Sequence, residues 1–274
     1  IKRVFIETNK VLWIAADLKG LCRFITDSKK WNCFNPAKSQ ALTKEILAIY
    51  KDSNGIIWLG SNKSGISYFK PQHPFQLIRF NKTHQFIQNI EQDKKGFLWF
   101  GTDAGLVKLD NNKKTKIYRH QNNTTTGLDS DKIYSLTHDR DNRLWIASNR
   151  GVHYYDEVGD SITKVKWNTQ SKSNIEYGFI TAYQKESGEL YLPSSRKGYM
   201  VKWNPGETNV EKINFSQDSP EGLLSRRQFA SHVDKNNRLW ISGLEFIGYL
   251  NHESDELMVT DFTINTGRLY LAMT

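Results

Sequence analysis

The stretch Asp93-Lys-Lys-Gly-Phe-Leu-Trp99-Phe-Gly-Thr102 decides the fold, because the chain repeats it. Close copies are Asp52-Ser-Asn-Gly-Ile-Ile-Trp58-Leu-Gly-Ser61, Asp139-Arg-Asp-Asn-Arg-Leu-Trp145-Ile-Ala-Ser148 and Asp234-Lys-Asn-Asn-Arg-Leu-Trp240-Ile-Ser-Gly243. An earlier copy, Glu7-Thr-Asn-Lys-Val-Leu-Trp13-Ile-Ala-Ala16, and a degenerate one, Lys185-Glu-Ser-Gly-Glu-Leu-Tyr191-Leu-Pro-Ser194, complete the set. The anchor aromatics stand at positions 13, 58, 99, 145, 191 and 240, with spacings of 45, 41, 46, 46 and 49 residues. A period in this range is the mark of a repeat architecture.

Each unit reads as four strands. An apolar run such as Ile46-Leu-Ala-Ile-Tyr50 or Ile133-Tyr-Ser-Leu-Thr137 leads into an Asp/Asn/Gly turn, whose residues suit a tight reversal. The Leu-Trp-Ile strand follows, then a loop that holds a glycine in most copies (Gly20, Gly65, Gly105, Gly151, Gly198), then a third strand such as Gly151-Val-His-Tyr-Tyr155. A more variable fourth strand, for example Lys114-Thr-Lys-Ile-Tyr118, closes the unit. Such a sheet is apolar on both faces at its second strand and cannot bury itself alone. Stacking the sheets radially buries both faces, which is the β-propeller solution.

The fold class expected is therefore all-β: a β-propeller of four-stranded antiparallel blades with six repeats, open to being part of a seven-bladed ring or a larger sensor. We expect one domain over residues 1–274, with blades near 1–40, 41–83, 84–130, 131–173, 174–227 and 228–274. In this arrangement the anchor Trp lies between neighbouring blades, and packing accounts for it. Blade five departs most, with Tyr191 for Trp and Pro193-Ser194 for the Gly-Thr step. The tail is ambiguous: Gly267-Arg-Leu-Tyr-Leu-Ala272 has a second-strand look, yet Tyr270 lies only 30 residues beyond Trp240.

Composition agrees with this reading. Among 274 residues there are 8 Trp, 12 Tyr and 14 Phe, too many aromatics for a disordered chain. No window approaches the ~18 consecutive apolar residues of a membrane-crossing helix. The 38 Lys+Arg exceed the 29 Asp+Glu by nine, which favours anionic partners or serves solubility. The chain starts at Ile1 without a tripartite leader, so a mature or excised chain is expected.

The phrase D-x-x-G-x-L-W-x-G-T followed by Gly-Leu, best seen from Asp93 to Asp110, resembles the two-component regulator propeller repeat. The spacer Gly127-Leu-Asp-Ser-Asp-Lys-Ile133 resembles the family's link into the innermost strand of the next blade, and Met258-Val-Thr-Asp-Phe-Thr-Ile264 the segment that leaves its last blade. The resemblance covers about residues 1–252. It implies an extracytoplasmic sensor domain of a hybrid two-component or related bacterial receptor, periplasmic, with further receptor domains in the same polypeptide. A homodimer is left open.

The two cysteines allow a test by register. A turn at Asp27-Ser28 pairs Phe24 with Trp31 and sets Cys22 opposite Cys33, close enough to bridge. A disulfide and a pair of buried thiols both satisfy that register, and there is no C-x-x-C.

No catalytic constellation emerges. The histidines (His73, His84, His120, His138, His153, His232, His252) show no metal-ligand spacing, and neither a G-x-S-x-G elbow nor a P-loop is present. Catalytic residues, metal and cofactor are all expected to be none. The repeated Asp52, Asp93, Asp139 and Asp234 read as turn formers that bond their own backbone. In a propeller the loops joining strands two and three share a face with those leading to the next blade. On that face stand Lys63, Arg150, Arg196, Lys197, Arg226 and Arg227, against Asp103, Asp129 and Asp131. Convergent guanidinium groups suit carboxylate or sulfate, so these residues are candidates for an anion-selective pocket, with Tyr177 and Tyr199 as stacking platforms for sugar rings.

Three function classes follow. The leading one is a sensor module for a small-molecule or oligosaccharide ligand, not itself an enzyme. The alternatives are a propeller glycan lyase or hydrolase, and a protein or polyanion interaction platform. Specific nucleic-acid binding is not expected, because no strand interleaves aromatic and basic residues.

Overall fold

The computed structural model describes residues 3–16, 20–34, 45–62, 64–71, 73–79, 86–121, 127–167, 183–184, 187–194, 199–214, 228–233, 236, 238–243, 246–251 and 256–260. Six four-stranded antiparallel sheets are formed, each from four strands consecutive in the chain. They are β1 (Arg3–Thr8), β2 (Val11–Ala16), β3 (Gly20–Ile25), β4 (Lys30–Phe34); β5 (Ile46–Lys51), β6 (Ile57–Ser61), β7 (Ile66–Phe69), β8 (Gln76–Ile78); and β9 (Ile87–Gln92), β10 (Leu98–Thr102), β11 (Gly105–Leu109), β12 (Thr115–Tyr118). Then come β13 (Ile133–His138), β14 (Leu144–Ser148), β15 (Gly151–Asp156), β16 (Ser161–Lys164); β17 (Tyr183–Gln184), β18 (Leu190–Pro193), β19 (Tyr199–Trp203), β20 (Glu211–Asn214); and β21 (Gln228–Val233), β22 (Leu239–Gly243), β23 (Phe246–Asn251), β24 (Glu256–Thr260). The tail segment 267–272 lies outside the described residues, as does Asp234. The β-propeller fold is thus six successive meanders.

Two compact units divide the chain: Ile1–Asn122 with Ser130–Leu136, and Asn123–Asp129 with Thr137–Met273. Within the first, Trp13, Ala15 and Leu21 pack against Ile49, Ile57, Leu59 and Phe69 of the second sheet. Trp58 and Tyr68 of that sheet pack against Ile90, Leu98, Phe100 and Val107 of the third. Within the second unit, Trp145 and Val152 meet Leu192, Tyr199 and Trp203 of the fifth sheet. Tyr191 and Met200 in turn meet Leu239, Ile241 and Leu250 of the sixth. Trp13, Trp58, Trp145 and Tyr191 therefore lie between adjacent sheets, where replacing a buried Trp with Ala costs roughly 3–5 kcal/mol.

The repeated aspartate holds the anchor in the second, third and fourth sheets. Asp93 Oδ1 accepts the backbone N–H of Lys95 at 3.0 Å and of Phe97 at 2.9 Å, while its Oδ2 accepts the Trp99 indole N–H at 2.9 Å. The same set recurs at Asp52, where Asn54, Ile56 and Trp58 donate at 2.9, 2.8 and 2.9 Å. It recurs again at Asp139, with Asp141, Arg143 and Trp145 donating at 3.0, 2.8 and 2.9 Å. In the first sheet Glu7 takes the place of Asp, accepting the Trp13 indole at 2.8 Å and Lys51 Nζ at 2.7 Å. Burial pushes the Glu7 carboxyl up, but the hydrogen bonds from Lys51 and Trp13 hold it below its ordinary value. The turn itself needs a left-handed residue, supplied by Gly55 at φ 76°, Gly96 at 83° and Asn142 at 62°.

A cation lies over each anchor ring in five of the six sheets. Arg23 lies 5.9 Å from the Trp13 centroid, Lys108 4.9 Å from Trp99, Arg143 5.7 Å from Trp145, Lys202 5.9 Å from Tyr191 and Arg238 5.6 Å from Trp240. Arg23, Lys108 and Lys202 are the cross-strand partners of their anchors, so the pairing register places them there. In the second sheet the partner is Tyr68, stacked on Trp58 at 4.7 Å. Part of the positive surplus is thereby spent as cation–π contact, worth about 0.5–1 kcal/mol at exposed sites.

Cys22 and Cys33 are joined in a disulfide between β3 and β4. The register is the expected one, Cys22 opposite Cys33 and Phe24 opposite Trp31. The turn is Thr26–Lys29, with Lys29 at φ 52°.

If the carboxylate clamp holds the anchor, Asp93→Ala should destabilise the chain by about 2–4 kcal/mol, since it orphans three donors. Urea unfolding of Asp93→Ala, Trp99→Phe and the double variant should return a coupling energy of about 1–2 kcal/mol. Additive losses would remove the clamp.

Candidate functional site

The candidate face is built where the strand-two to strand-three turns meet the segments arriving from the preceding sheet. A buried hydroxyl ends the second strand: Ser61, Thr102 and Ser148 donate to the carbonyls of Gly65, Gly105 and Gly151 at 2.7, 2.7 and 3.2 Å. The same oxygens accept from the turn, taking the N–H of Ser64, Ala104 and Arg150 at 3.0, 3.0 and 3.2 Å. Gly105 stands at φ 118°, and a Cβ there would lie 2.5 Å from Tyr118 O, so only glycine fits. This explains the hydroxyl residue that ends the repeated phrase and the glycine that opens the third strand.

The arriving segments are hooked onto these turns. In the first unit Asn62 N donates to Glu45 O at 3.1 Å, Asp103 N to Phe86 O at 3.3 Å and Gly105 N to Asp131 O at 2.8 Å. Asp131 Oδ1 accepts the His120 N–H at 2.6 Å. In the second unit Gly127 N donates to Ile162 O at 2.7 Å. Turn and linker share one end of the second and third sheets, as the sequence implied.

Of the basic residues expected here, only Arg150 is described. It is exposed at the tip of the β14–β15 turn. Lys63, Tyr177, Arg196, Lys197, Arg226 and Arg227 lie outside the described residues. The described residues at this end are mixed in sign in each unit, Glu45, Asp103 and Asp131 with Arg119 and Lys132 in the first, and Asp129 with Arg150 and Lys164 in the second. Tyr199 is placed differently from the expectation. It is 2% exposed among Trp145, Val152 and Leu192, with Lys212 Nζ 4.5 Å from its ring centroid, so no sugar ring reaches its face. Its neighbours in sequence, Arg196-Lys197, suggested a loop position, but β19 starts at Tyr199 and turns the ring into the core.

Sequence reasoning missed a buried histidine on this face. His153 is 0% exposed, and its Nε2 accepts the backbone N–H of Asp129 at 3.1 Å. Asp129 Oδ2 lies 2.5 Å from Lys164 Nζ and 3.7 Å from His153 Nε2. Burial drives the His153 pKa down to about 4, against the pull of Asp129, so the ring is neutral at pH 7 and free to accept. The only signal available in sequence was a histidine at an inward position of the third strand. Among the described residues no three His, Cys, Asp or Glu side chains gather as a metal site.

Because the folded pKa lies below the unfolded value, the unfolded chain binds the extra proton between about pH 6.5 and 4. Stability from this group is complete above that window and falls as pH drops through it, by about 3 kcal/mol in all. Urea unfolding at pH 7 and pH 4.5 should show the fall in the native chain and a smaller one in His153→Asn. Equal falls in both would discharge His153 from the role.

The family model described as "Two component regulator propeller" matches residues 42–63, 81–104 and 127–150. The chain is 25% identical over 210 residues to Histidine kinase P4 of Formosa agariphila, covering 75% of this chain and 15% of the kinase. Its fold is similar to the extracellular domain of a hybrid two-component system from B. thetaiotaomicron, with TM-score 0.73 and 23% identity over 95% of this chain and 34% of that one. It is also similar to virginiamycin B lyase from Staphylococcus aureus, with TM-score 0.73 and 14% identity over 96% of this chain and 85% of that one. The chain thus spans about a third of the extracellular domain and a smaller share of the kinase. Three stretches of this chain, on sheets that share one carboxylate-clamped turn, are thus similar to the two component regulator propeller repeat.

Proposed function

We propose that this propeller is the extracytoplasmic ligand-sensing part of a bacterial two-component-type receptor, and that its ligand is an oligosaccharide, acidic ones being favoured. The observation that carries the reading is the run of three consecutive matches to the two component regulator propeller model. The likeness to a histidine kinase over 75% of this chain supports it, as does the fold shared with an extracellular receptor domain. A disulfide in the first sheet suits an oxidising compartment. The chain acts as a binding module, and output belongs to other domains of the same polypeptide.

Acidic ligands are favoured by the chemistry of the loop residues Arg150, Arg196, Lys197, Arg226 and Arg227, whose planar or compact cations match carboxylate and sulfate oxygens. Tyr177 remains as the aromatic platform of this set.

A thermal-shift screen of neutral and acidic oligosaccharides should find at least one that raises Tm. Calorimetry on Arg196→Ala and Arg226→Ala should then show affinity reduced about 10- to 100-fold. A panel without response contradicts the sensor reading. Turnover of the bound glycan would make the chain an enzyme, and a shift common to all polyanions that salt abolishes would make it a polyanion platform.

A further inference from the structure

The third sheet ends in a cluster of lysines. Its β9–β10 turn carries Lys94 and Lys95 and its β11–β12 turn Lys113 and Lys114, with Lys116 two residues further on the edge strand β12, and all five are exposed. The two turns touch, because Asn111 Nδ2 donates to the Lys95 carbonyl at 3.1 Å. Gln92 ties the first of them to the second sheet, its Nε2 donating to Gly96 O at 3.1 Å and its Oε1 accepting the Ser53 N–H at 2.8 Å. Lys113 Nζ reaches Tyr68 of that sheet and donates to its hydroxyl at 2.9 Å. The lysines therefore stand at one end of two sheets that pack on each other.

Among the described residues no exposed carboxylate stands at this end of the second and third sheets. Asp93 engages both oxygens on its own turn and on Trp99, and Asp110 Oδ1 accepts the N–H groups of Asn112 and Lys114 at 2.9 and 2.7 Å. Asp52 is buried, and Glu91 is half-buried beside Tyr50. The fold does not require these charges, because Asp52-Ser53-Asn54-Gly55 builds the same turn in the second sheet with neutral residues at its tip. At the corresponding end of the first sheet Lys10 is neutralised by Asp27, 2.7 Å away. In the fourth sheet the corresponding turns hold Asp141, Asp156, Glu157 and Asp160 with Arg140. The uncompensated positive end is thus a property of particular residues, not of the repeat.

We propose that this lysine cluster is a docking surface for anionic phospholipid headgroups. Turn tips project and enclose nothing, so a plane of phosphates meets them where a small ligand finds no walls. Lysine suits such a partner: a compact, hydrated charge on a flexible stem takes phosphate from many directions, whereas paired recognition of a single anion calls for arginine. Four to eight clustered basic side chains are what attraction to an anionic leaflet takes. The strand-two to strand-three turns lie at the opposite end of the same sheets, so contact through the lysines leaves the candidate face open. The proposal draws on the receptor reading only for the presence of a membrane, near which a tethered domain is held at high effective concentration.

The test is co-sedimentation of the 274-residue chain with vesicles of phosphatidylglycerol and phosphatidylcholine in equal parts, and with vesicles of phosphatidylcholine alone. The chain should sediment with the anionic vesicles and not with the neutral ones, and should come off as salt rises. Lys94→Gln with Lys114→Gln should weaken the binding about 30-fold, at about fivefold per lysine, with Tm unchanged because both side chains are exposed. The corresponding Glu pair should weaken it further. Arg79→Gln with Lys132→Gln, exposed beside the strand-two to strand-three turns, makes the same change in net charge and should leave binding near that of the native chain. Equal losses in the two Gln pairs would reduce the effect to net charge and overturn the proposal, as would equal binding to phosphatidylcholine alone or no binding at all. Dextran sulfate that binds more tightly than the anionic vesicles, with that binding lost in Lys94→Gln/Lys114→Gln, would assign the surface to an acidic polymer and overturn it too. None of these results touches the ligand-sensor reading, which the oligosaccharide panel judges separately.

Discussion

A carboxylate has two oxygens, and in each well-formed repeat of this protein both are engaged. One accepts two backbone N–H groups and so fixes the turn between the first and second strands. The other accepts an indole N–H six residues along, and so fixes the largest side chain of the sheet. The turn and the inter-sheet anchor are thereby set by one residue. Without that bond a buried indole N–H would be left unpaired, at a cost comparable to the gain from a well-made hydrogen bond or larger. The position of Trp in turn determines what the next sheet must present, and the apolar clusters follow from it. The fifth sheet shows the dependence from the other direction. Where Tyr191 replaces Trp and offers no indole N–H, the residue six places earlier is Lys185 in place of an acid.

The charge of the chain is organised by the same anchors. Cations on the third strand or just before the anchor lie over the rings, so Arg23, Lys108, Arg143, Lys202 and Arg238 act in the sheets themselves. What is left for a ligand is smaller than a surplus of nine suggests, and more local. Arg3 stands apart because among the described residues it meets neither a ring nor a carboxylate and bonds the Leu47 carbonyl.

Much of this was legible in the sequence, and the reasons are physical. A radial stack of sheets demands the same large side chain at the same place each time, so the repeat is written in Trp and its spacing. The Cys22–Cys33 pairing was legible because hairpin register is set by the turn. The aspartate role was only half legible: its backbone bonds are short-range turn chemistry, whereas the indole bond crosses the hairpin and leaves no local pattern beyond an i, i+6 spacing. Tyr199 was misplaced because a residue near a basic loop looks exposed until the strand start is known. Arg3 and His153 were invisible for a related reason. A charged or titratable residue near a strand end reads as solvated, and only register shows that Arg3 lies against a bulge in β5 and His153 under Asp129.

The central claim is that carboxylate-bound indoles hold this propeller together, and the most direct test is hydrogen exchange at the indole N–H groups, followed by NMR. The account predicts that Trp13, Trp58, Trp99 and Trp145 exchange slowly, near the limit set by global unfolding, while Trp31, which is 57% exposed, exchanges fast. Anchor indoles that exchange as fast as Trp31 would contradict it.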